Sequence, residues 1–292
     1  MSKQAIIKNT DLFKCPLCSS KMDMIGEKSL VCLKNHCFDL ARSGYVNFFT
    51  RPVKTEYDQA MFHSRSIISK YGFFDSMLDT ITDIIGNTIH HSSLGRTVML
   101  DAGCGEGSHL HQVMEKLHLK TQRKFTGVGM DLSKEGIQMA SKQYPDCIFC
   151  VGDLTRSPFM DEKFDVIINI LSPSNYGEFK RLITKDGLLI KVIPGKEYLK
   201  ELREALYHKT DKQRYSNEKV RRHFNDHFNL IVSQQVYYNK AMDEETLAHL
   251  IKMTPLSWSA AEREINKAIH AIKNITVDFT ILCGKRKELQ QG

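Results

Sequence analysis

The residues best placed to do chemistry form the segment Asp101-Ala102-Gly103-Cys104-Gly105-Glu106-Gly107, directly after the apolar run Val98-Met99-Leu100. Glycines at alternate positions let a backbone pass close to a ligand and adopt positive φ angles. The apolar run predicts a strand, and a helix beginning after the loop would point its first backbone N–H groups at that ligand. The segment therefore predicts a nucleotide-type binding loop.

The spacing of this loop separates two kinds of cofactor. The dinucleotide fingerprint G-x-G-x-x-G requires glycine at position 108, where the chain has Ser108, and it does not call for an acid at position 101. An acidic residue followed by G-x-G-x-G resembles the S-adenosylmethionine loop of class I methyltransferases. The loop alone leaves a nucleotide-binding oxidoreductase and a structural glycine turn as alternatives.

Two further acidic residues follow strand-like runs. Asp131 ends the run 125–130, roughly 20 residues after the loop, where a carboxylate can accept ribose hydroxyls. Asp153 and Leu154 follow the run 147–151, where class I methyltransferases place an acidic residue and an apolar neighbour against adenine. A turn or N-cap role is the simpler alternative for Asp153. Acidic residues at three successive strand ends favour S-adenosylmethionine as the cofactor.

A cysteine cluster near the amino terminus has the spacing of a zinc ribbon. Cys15 and Cys18 are separated by two residues, and a second turn contains Cys32, His36 and Cys37. Two thiolates at that spacing can reach one tetrahedral centre at about 2.3 Å. We predict Zn²⁺ bound by Cys15, Cys18, Cys32 and His36, with Cys37 as an alternative fourth ligand. Four protein ligands leave no position for water, so the site is expected to be structural.

Composition is that of an ordinary globular protein. The 292 residues suit about two domains, with 41% hydrophobic and 26% charged residues. The net charge of +7 permits a polyanionic partner without requiring one. No apolar stretch approaches the roughly 20 residues of a membrane span, and the opening residues lack a signal-peptide core. We therefore expect no membrane contact and a cytoplasmic location, where the eight cysteines stay reduced.

Between the ribbon and the glycine loop the sequence changes character twice. The abruptly polar stretch 51–56 reads as a linker. Apolar residues then recur at helical spacing over 74–85, which predicts an amphipathic helix packed on the nucleotide domain. Met61, Phe62 and Arg65, just before that helix, are either structural or in contact with ligand or nucleic acid.

The second half of the chain supplies an acceptor site and the rest of the sheet. The run 164–171 predicts a buried parallel strand, and active sites of open α/β sheets lie at such carboxyl ends. Asn169, Ser172 and the backbone of Pro173 are therefore candidates for positioning a methyl acceptor. Further strands are predicted within 186–195, 230–238 and 275–282.

From residue 198 onward the sequence predicts longer, more basic helices. Such a charged run is usually a solvated face, and phosphate contact is the alternative. The positive charge is densest at Lys209, Lys212, Arg214, Lys219, Arg221, Arg222 and His223. We divide the chain into a zinc ribbon at 1–45, a linker and helical segment at 46–94, and a methyltransferase domain at 95–292.

Four segments together resemble the RlmA-type 23S ribosomal RNA guanine-N1 methyltransferases. These are the cysteine ribbon, Gly44-Tyr45-Val46-Asn47, the glycine loop and Met253-Thr254-Pro255-Leu256-Ser257-Trp258. The resemblance implies an α/β fold with a class I methyltransferase Rossmann-like sheet after an N-terminal zinc-ribbon domain. It implies methylation of guanine N1 in a 23S rRNA hairpin loop that the ribbon helps to recognise, a homodimer, and in one branch reduced macrolide sensitivity.

The resemblance also carries individual residues. By position, Phe74, His109, Leu110 and Tyr198 look like residues that line the cofactor, and Cys15, Cys18, Cys32 and His36 look like the zinc ligands. Other members can carry tyrosine and histidine where this chain has Phe74 and Tyr198, which puts contacts through those polar atoms in doubt.

Methylation at guanine N1 requires a base, because that nitrogen carries a proton at neutral pH. Asp58, Glu178 and Asp153 are candidates by residue type, and the sequence ranks none of them. Three other functions remain open. They are a small-molecule methyltransferase, a zinc-ribbon RNA-binding protein with an inactive methyltransferase domain, and a nicotinamide oxidoreductase.

Overall fold

The computed structural model describes residues 2–51, 53, 57–89, 97–207, 216–258 and 260–287. The helices of this described part are α1 Ser2–Ile7, α2 Gln59–Lys70, α3 Asp75–Thr88, α4 Ser108–Thr121, α5 Lys134–Gln143, α6 Tyr176–Leu182, α7 Lys200–Leu206, α8 Glu218–His227, α9 Glu244–Met253 and α10 Glu262–Ala271. The strands are β1 Met22–Ile25, β2 Ser29–Cys32, β3 Cys37–Asp39, β4 Tyr45–Asn47, β5 Thr97–Ala102, β6 Phe125–Asp131, β7 Ile148–Val151, β8 Phe164–Ile170, β9 Ile183–Pro194, β10 Phe228–Ala241 and β11 Asn274–Arg286.

Strands β4 to β11 form one sheet in the order β10-β11-β9-β8-β5-β6-β7-β4. The pairs from β4 to β9 are parallel, and β11 runs antiparallel to both of its neighbours. Every residue of β5 is buried, as expected when both faces of a parallel sheet are covered. Met99 packs into one apolar cluster, and Val98 and Leu100 pack into the other. The predicted Rossmann-like sheet is confirmed, including the two late strands that complete it.

The strand order reverses beside β5, because the chain continues from β5 to β6 on one side and returns to β8 on the other. Ligands of open α/β sheets bind outside the carboxyl ends of the strands at such a point. The glycine loop follows β5, and residues 172–175 follow β8. The topology therefore brings these two segments together.

The amino-terminal ribbon consists of β1, β2 and β3 in an antiparallel sheet. Phe13 joins it to the large sheet, with its ring centroid 5.5 Å from that of Phe159. The backbone N–H of Lys14 donates to the carbonyl of Pro158 at 2.8 Å. Apolar residues of the ribbon and of β5 belong to one cluster. The ribbon is thus packed on the methyltransferase sheet through a continuous core.

Strand β4 follows the ribbon in sequence but pairs in parallel with β7 at the edge of the large sheet. It crosses the expected division between residues 45 and 46. The expected division between 94 and 95 lies outside the described residues.

The amphipathic helix expected over 74–85 is α3, whose buried face includes Met77, Leu78, Ile81, Ile84 and Ile85. The expectation of longer helices after residue 198 was wrong. Helices α7 and α8 have 7 and 10 residues against 14 in α3, because the chain enters β10 directly after α8. Lys219, Arg222 and His223 are exposed, whereas Lys209, Lys212 and Arg214 lie outside the described residues. Within the described ranges, no helix combines the length and apolarity of a membrane span.

Candidate active site and metal centre

The glycine loop needs its glycines. Gly103, Gly105 and Gly107 have φ angles of +90°, +57° and +81°, a region that residues with a Cβ rarely adopt. A Cβ on Gly103 would overlap the Ser172 hydroxyl, and one on Gly105 would lie 2.9 Å from Arg65 Nη1. The loop is therefore held by backbone conformation and by close neighbours from α2 and from the segment after β8.

Two of the acidic strand ends face the cavity beside this loop. Asp131 accepts hydrogen bonds from the backbone N–H groups of Gly105 and Ser133, each at 2.8 Å. Asp153 accepts one from the backbone N–H of Thr155 at 2.7 Å, which is the turn role considered above. Both carboxylates also line the cavity. They therefore combine a structural role with a position where a ligand can reach them.

Asp101 lies beneath the loop and is 2% exposed. Its Oδ1 atom is buried and has no hydrogen-bond partner among the described residues. Burial raises the pKa of Asp101 to about 7, against the opposing effect of the Arg65 guanidinium. Because the pKa of this carboxyl group is about 7, a positive charge placed near the loop will favour its ionised form.

Arg65 reaches the loop from α2 and pairs with two buried groups. Its Nε lies 3.7 Å from Glu106 Oε1, and its Nη2 lies 3.3 Å from His109 Nδ1. Burial, with the Arg65 charge, lowers the pKa of His109 well below its ordinary value. Since arginine only donates, Nδ1 is the acceptor and the proton of the neutral ring sits on Nε2. That Nε2 donor is buried without a partner among the described residues.

Aromatic rings form the wall opposite the loop. The Phe74 ring stands 4.6 Å from the His109 ring in an edge-on arrangement. Phe279 contacts both Phe74 and Tyr198, at 6.1 and 4.9 Å between centroids. Leu110 is fully buried in the core behind this wall.

These groups surround a cavity of about 810 Å³. Seven of the eleven expected cofactor residues line it, namely Phe74, Gly103, His109, Asp131, Asp153, Leu154 and Tyr198. Met61, Phe62 and Arg65, for which the sequence left two roles, line it as well. The other four are buried and do not line it, namely Asp101, Gly105, Gly107 and Leu110.

The segment after β8 is held from below by a buried polar network. Asn169 is fully buried and donates to the Ala102 carbonyl at 2.6 Å. Lys191 Nζ donates to Asn169 Oδ1 at 2.6 Å and to the Ser172 carbonyl. Burial lowers the pKa of Lys191 to about 8. Asn169 therefore fixes the segment rather than facing an acceptor, whereas Ser172 and Pro173 line the cavity as expected.

Of the three carboxylates considered as bases, Asp153 is the one that lines the cavity. Asp58 caps α2 by accepting from the Met61 N–H at 2.7 Å. Glu178 pairs with Arg181 Nη2 at 2.6 Å, away from the cavity lining. Burial alone would raise the Glu178 pKa, but the hydrogen bonds from Arg181 and Ser157 together with the Arg181 charge outweigh it and lower the pKa overall.

The predicted metal ligands converge. The ligand atoms of Cys15, Cys18, Cys32 and His36 all lie within 4.8 Å of one another. His36 Nδ1 is 3.4 Å from both Cys15 Sγ and Cys32 Sγ. Cys37 is exposed, and its Sγ lies 3.7 Å from Asp39 instead. Three sulfurs and one imidazole nitrogen at this separation suit a closed tetrahedral Zn²⁺ site with His36 as the fourth ligand.

The residues present also fit S-adenosylmethionine. The cavity volume falls within the range of roughly 300–1,000 Å³ that is typical of small-molecule sites. Asp131 and Asp153 stand at strand ends where a ribose and an adenine base would be held. The glycine loop leaves its backbone open to close approach, and Asp101 and His109 offer an acceptor and a donor that no described residue pairs with.

Sequence reasoning missed part of the cavity lining. Tyr57 enters from the segment before α2, Arg203 from α7 and Tyr207 from the position directly after α7. Met253, Thr254, Pro255 and Leu256 line it from the end of α9. The segment 253–258 carries part of the family resemblance. Its local sequence pattern does not indicate that it lies beside the glycine loop, about 150 residues earlier in the chain.

Two family models match the chain. Residues 13–55 match the amino-terminal zinc ribbon of RlmA, and residues 94–222 match a methyltransferase domain. The two matches cover the metal centre and the glycine loop separately.

Full-length relatives are found among curated proteins. The chain is 43% identical over 281 residues to YxjB of Bacillus subtilis (strain 168), named as a 23S rRNA (guanine-N(1)-)-methyltransferase, covering 94% of this chain and 97% of that protein. It is 25% identical over 276 residues to the 23S rRNA (guanine(748)-N(1))-methyltransferase of Streptomyces fradiae, covering 92% and 95%. A Micromonospora griseorubida protein with a similar name is 29% identical over 66% of this chain and 69% of its own length.

Proposed function

Because the chain belongs to the RlmA-type family of 23S rRNA guanine-N1 methyltransferases, we propose that it transfers the methyl group of S-adenosylmethionine to N1 of a guanine in 23S rRNA. The observation that carries this proposal is the full-length sequence similarity to YxjB together with the cavity at the point where the strand order of the sheet reverses. A zinc-ribbon RNA-binding protein with an inactive domain would not need an intact loop, three acidic strand ends and an 810 Å³ cavity together.

We propose that the cofactor contacts Phe74, Gly103, His109, Asp131, Asp153, Leu154 and Tyr198, and that Asp101, Gly105, Gly107 and Leu110 shape its site. Asp131 would accept ribose hydroxyls, and Asp153 with Leu154 would hold the adenine. Phe74 supports this site with its ring alone, since the tyrosine hydroxyl of other members is absent. Tyr198 also supports the site through its ring, which packs against Phe279.

When bound, S-adenosylmethionine supplies an electrophilic methyl group on a sulfonium. The protein must place guanine N1 in line with that methyl and accept the N1 proton. Ser172 and Pro173, fixed from below by Asn169 and Lys191, are the groups proposed to position the guanine edge. Asp153 lines the cavity but is committed to the adenine in this proposal, so we assign no general base.

The zinc ribbon is proposed to recognise the RNA hairpin loop, as the family resemblance implies. Its packing on the large sheet fixes its position relative to the cavity. We retain the division into ribbon, connecting segment and methyltransferase domain, with β4 as the structural link between the first and the last. Exposed Lys219 and Arg222 on α8 are proposed to contact phosphate.

Three finer properties are proposed from the family and from the substrate. They are a homodimer, a cytoplasmic location beside the ribosomal RNA, and an influence on macrolide sensitivity. Light scattering of the purified protein tests the first, and macrolide susceptibility of cells with and without the gene tests the last.

Reverse transcription tests the proposed reaction, because a methyl group on guanine N1 blocks base pairing. In 23S rRNA from cells that contain the protein we expect a stop one nucleotide before a single guanine, and its absence after gene deletion. Position 748, named for the S. fradiae relative, is the first to inspect. Identical stop patterns in both strains, with labelled methyl groups appearing in cell metabolites instead, would favour a small-molecule methyltransferase.

A further inference from the structure

Two large aromatic side chains stand exposed at the mouth of the cavity. Tyr57 lines the cavity and is 42% exposed, and Trp258 is 46% exposed. Their ring centroids are 5.5 Å apart, with an angle of 61° between the planes. Tyrosine and tryptophan are enriched at binding interfaces, so an exposed pair beside a binding cavity indicates a surface that a ligand covers.

The backbone that carries Trp258 forms a hydrogen-bonded turn at the cavity rim. The backbone N–H of Trp258 donates to the Pro255 carbonyl at 3.3 Å, and the Tyr207 hydroxyl donates to the Leu256 carbonyl at 2.5 Å. The Thr254 hydroxyl donates to the Ile251 carbonyl at the end of α9. Since Thr254 to Leu256 line the cavity themselves, this turn places Trp258 at the cavity edge.

The exposed pair continues inward to the glycine loop. The Tyr57 ring lies 6.3 Å from that of Phe62, which is 2% exposed and lines the cavity. A Cβ on Gly105 would lie 3.2 Å from the Phe62 ring. An aromatic path thus runs from the proposed cofactor site to the protein surface.

This path matches the needs of a nucleobase substrate. Guanine N1 lies on the pairing edge, so a guanine must leave its stack to enter a cavity beside the methyl donor. Its departure costs the neighbouring base a stacking partner. Single-stranded RNA is commonly bound through unstacked bases that lie on aromatic side chains.

We propose that Tyr57 and Trp258 form a stacking platform, on which Trp258 stacks with the nucleobase that flanks the methylated guanine and Tyr57 guides the guanine itself. This assignment rests on the proposed function and adds a substrate-binding subsite to it. Trp258 would then compensate part of the energy lost when the guanine leaves its stack.

Trp258 is the one tryptophan of the chain, so its fluorescence reports on this site in the unaltered protein. The probe is an RNA transcript that the protein methylates, added to full-length protein saturated with S-adenosylhomocysteine. We expect the fluorescence to fall as RNA binds and the indole to become less accessible to acrylamide. Unchanged emission and accessibility at RNA concentrations that saturate methylation would overturn the platform.

Substitutions give a second readout. Trp258→Ala is expected to raise KM for RNA roughly tenfold, within the range measured for loss of one base–aromatic stack, and Trp258→Phe to restore most of it. The Kd of S-adenosylmethionine should not change. Tyr237→Ala removes an aromatic side chain of similar exposure on β10 and should leave KM unaltered. An equal rise of KM for Tyr237→Ala and Trp258→Ala would contradict a subsite at the cavity mouth.

The outcomes separate this subsite from the reaction itself. Methylation of 23S rRNA without any response of Trp258 removes the platform and leaves the proposed function standing. Emission that changes with protein concentration rather than with RNA would assign the ring pair to contact with a second copy, which also overturns the subsite.

Discussion

Asp101 is a carboxyl group placed where ionisation is unfavourable. Burial raises its pKa from 3.8 to about 7, so the folded chain binds more protons than the unfolded chain between these values. A positively charged cofactor nearby favours the ionised form. We therefore predict that the affinity for S-adenosylmethionine, measured by calorimetry, rises several-fold from pH 5.5 to 7.5, and that Asp101→Asn reduces this dependence.

The protein without cofactor supplies the control. In the protein without cofactor, the stabilising contribution of Asp101 to the free energy of unfolding is fully present below about pH 4 and is lost as the pH rises through about 7. The difference in stability between wild type and Asp101→Asn should therefore shift in favour of the variant over that range. A constant difference across pH 4 to 7.5 would show that Asp101 is not buried as described.

Gly103 tests the loop conformation. Gly103→Ala places a Cβ against the Ser172 hydroxyl at a φ of +90°, so cofactor binding should fall at least tenfold while the zinc content is unchanged. Gly86→Ala, at an interior position of α3 with 3.6 Å to the nearest neighbour, should bind normally and be slightly more stable. Normal cofactor binding by Gly103→Ala would contradict the assignment of the loop.

Individual residues were predictable where chemistry and spacing coincide in a short segment. The zinc ligands and the glycines belong to such segments, and the structure brings each set together. Lys191 was not predicted, because a lysine within an apolar strand gives no local sign of the carbonyl that it will bond. The pairing of Arg65 with Glu106 was missed for the same reason, since it joins α2 to the glycine loop.

Among the elements, the zinc ribbon has a consequence for the whole sheet. A small three-stranded sheet cannot hold a core alone, and this one shares its core with β5 and contacts Phe159. We predict that Cys18→Ser loses the bound zinc and lowers the melting midpoint of the full chain by several degrees. Metal analysis and calorimetry measure the two effects.

Cys37→Ser is the matched control for that experiment, because its side chain is exposed and outside the cluster. It should retain about one zinc per chain and the wild-type midpoint. Loss of zinc from Cys37→Ser with retention in His36→Ala would instead make Cys37 the fourth ligand.

The strands of the central sheet could be predicted because their signal is local. A buried parallel strand is an apolar run, and the runs at β5, β6, β7 and β8 were each recognisable on their own. The position of β4 in the sheet could not be predicted. Its three residues directly after the ribbon contain no local pattern that indicates pairing with β7, about 100 residues later in the chain. Helix lengths after residue 198 were misjudged because charge pattern does not mark where α8 gives way to β10.

In the whole molecule, a metal-bound module and a methyltransferase cavity are built on one sheet. The ribbon packs on the sheet through Phe13, and the cavity opens where the strand order reverses. If the ribbon recognises the RNA as proposed, its packing on the sheet can help to select which guanine reaches the cavity. The arrangement thus accounts for an enzyme that acts on a folded RNA rather than on a free nucleotide.

The central claim is the identity of the methylated atom. Purified protein is incubated with isotopically labelled S-adenosylmethionine and 23S rRNA from cells that lack the gene, and the RNA is digested to nucleosides for mass spectrometry. We predict that the label appears in N1-methylguanosine and that the Gly103→Ala protein produces none. Label in another nucleoside, or an unlabelled RNA despite saturating cofactor, would contradict the account.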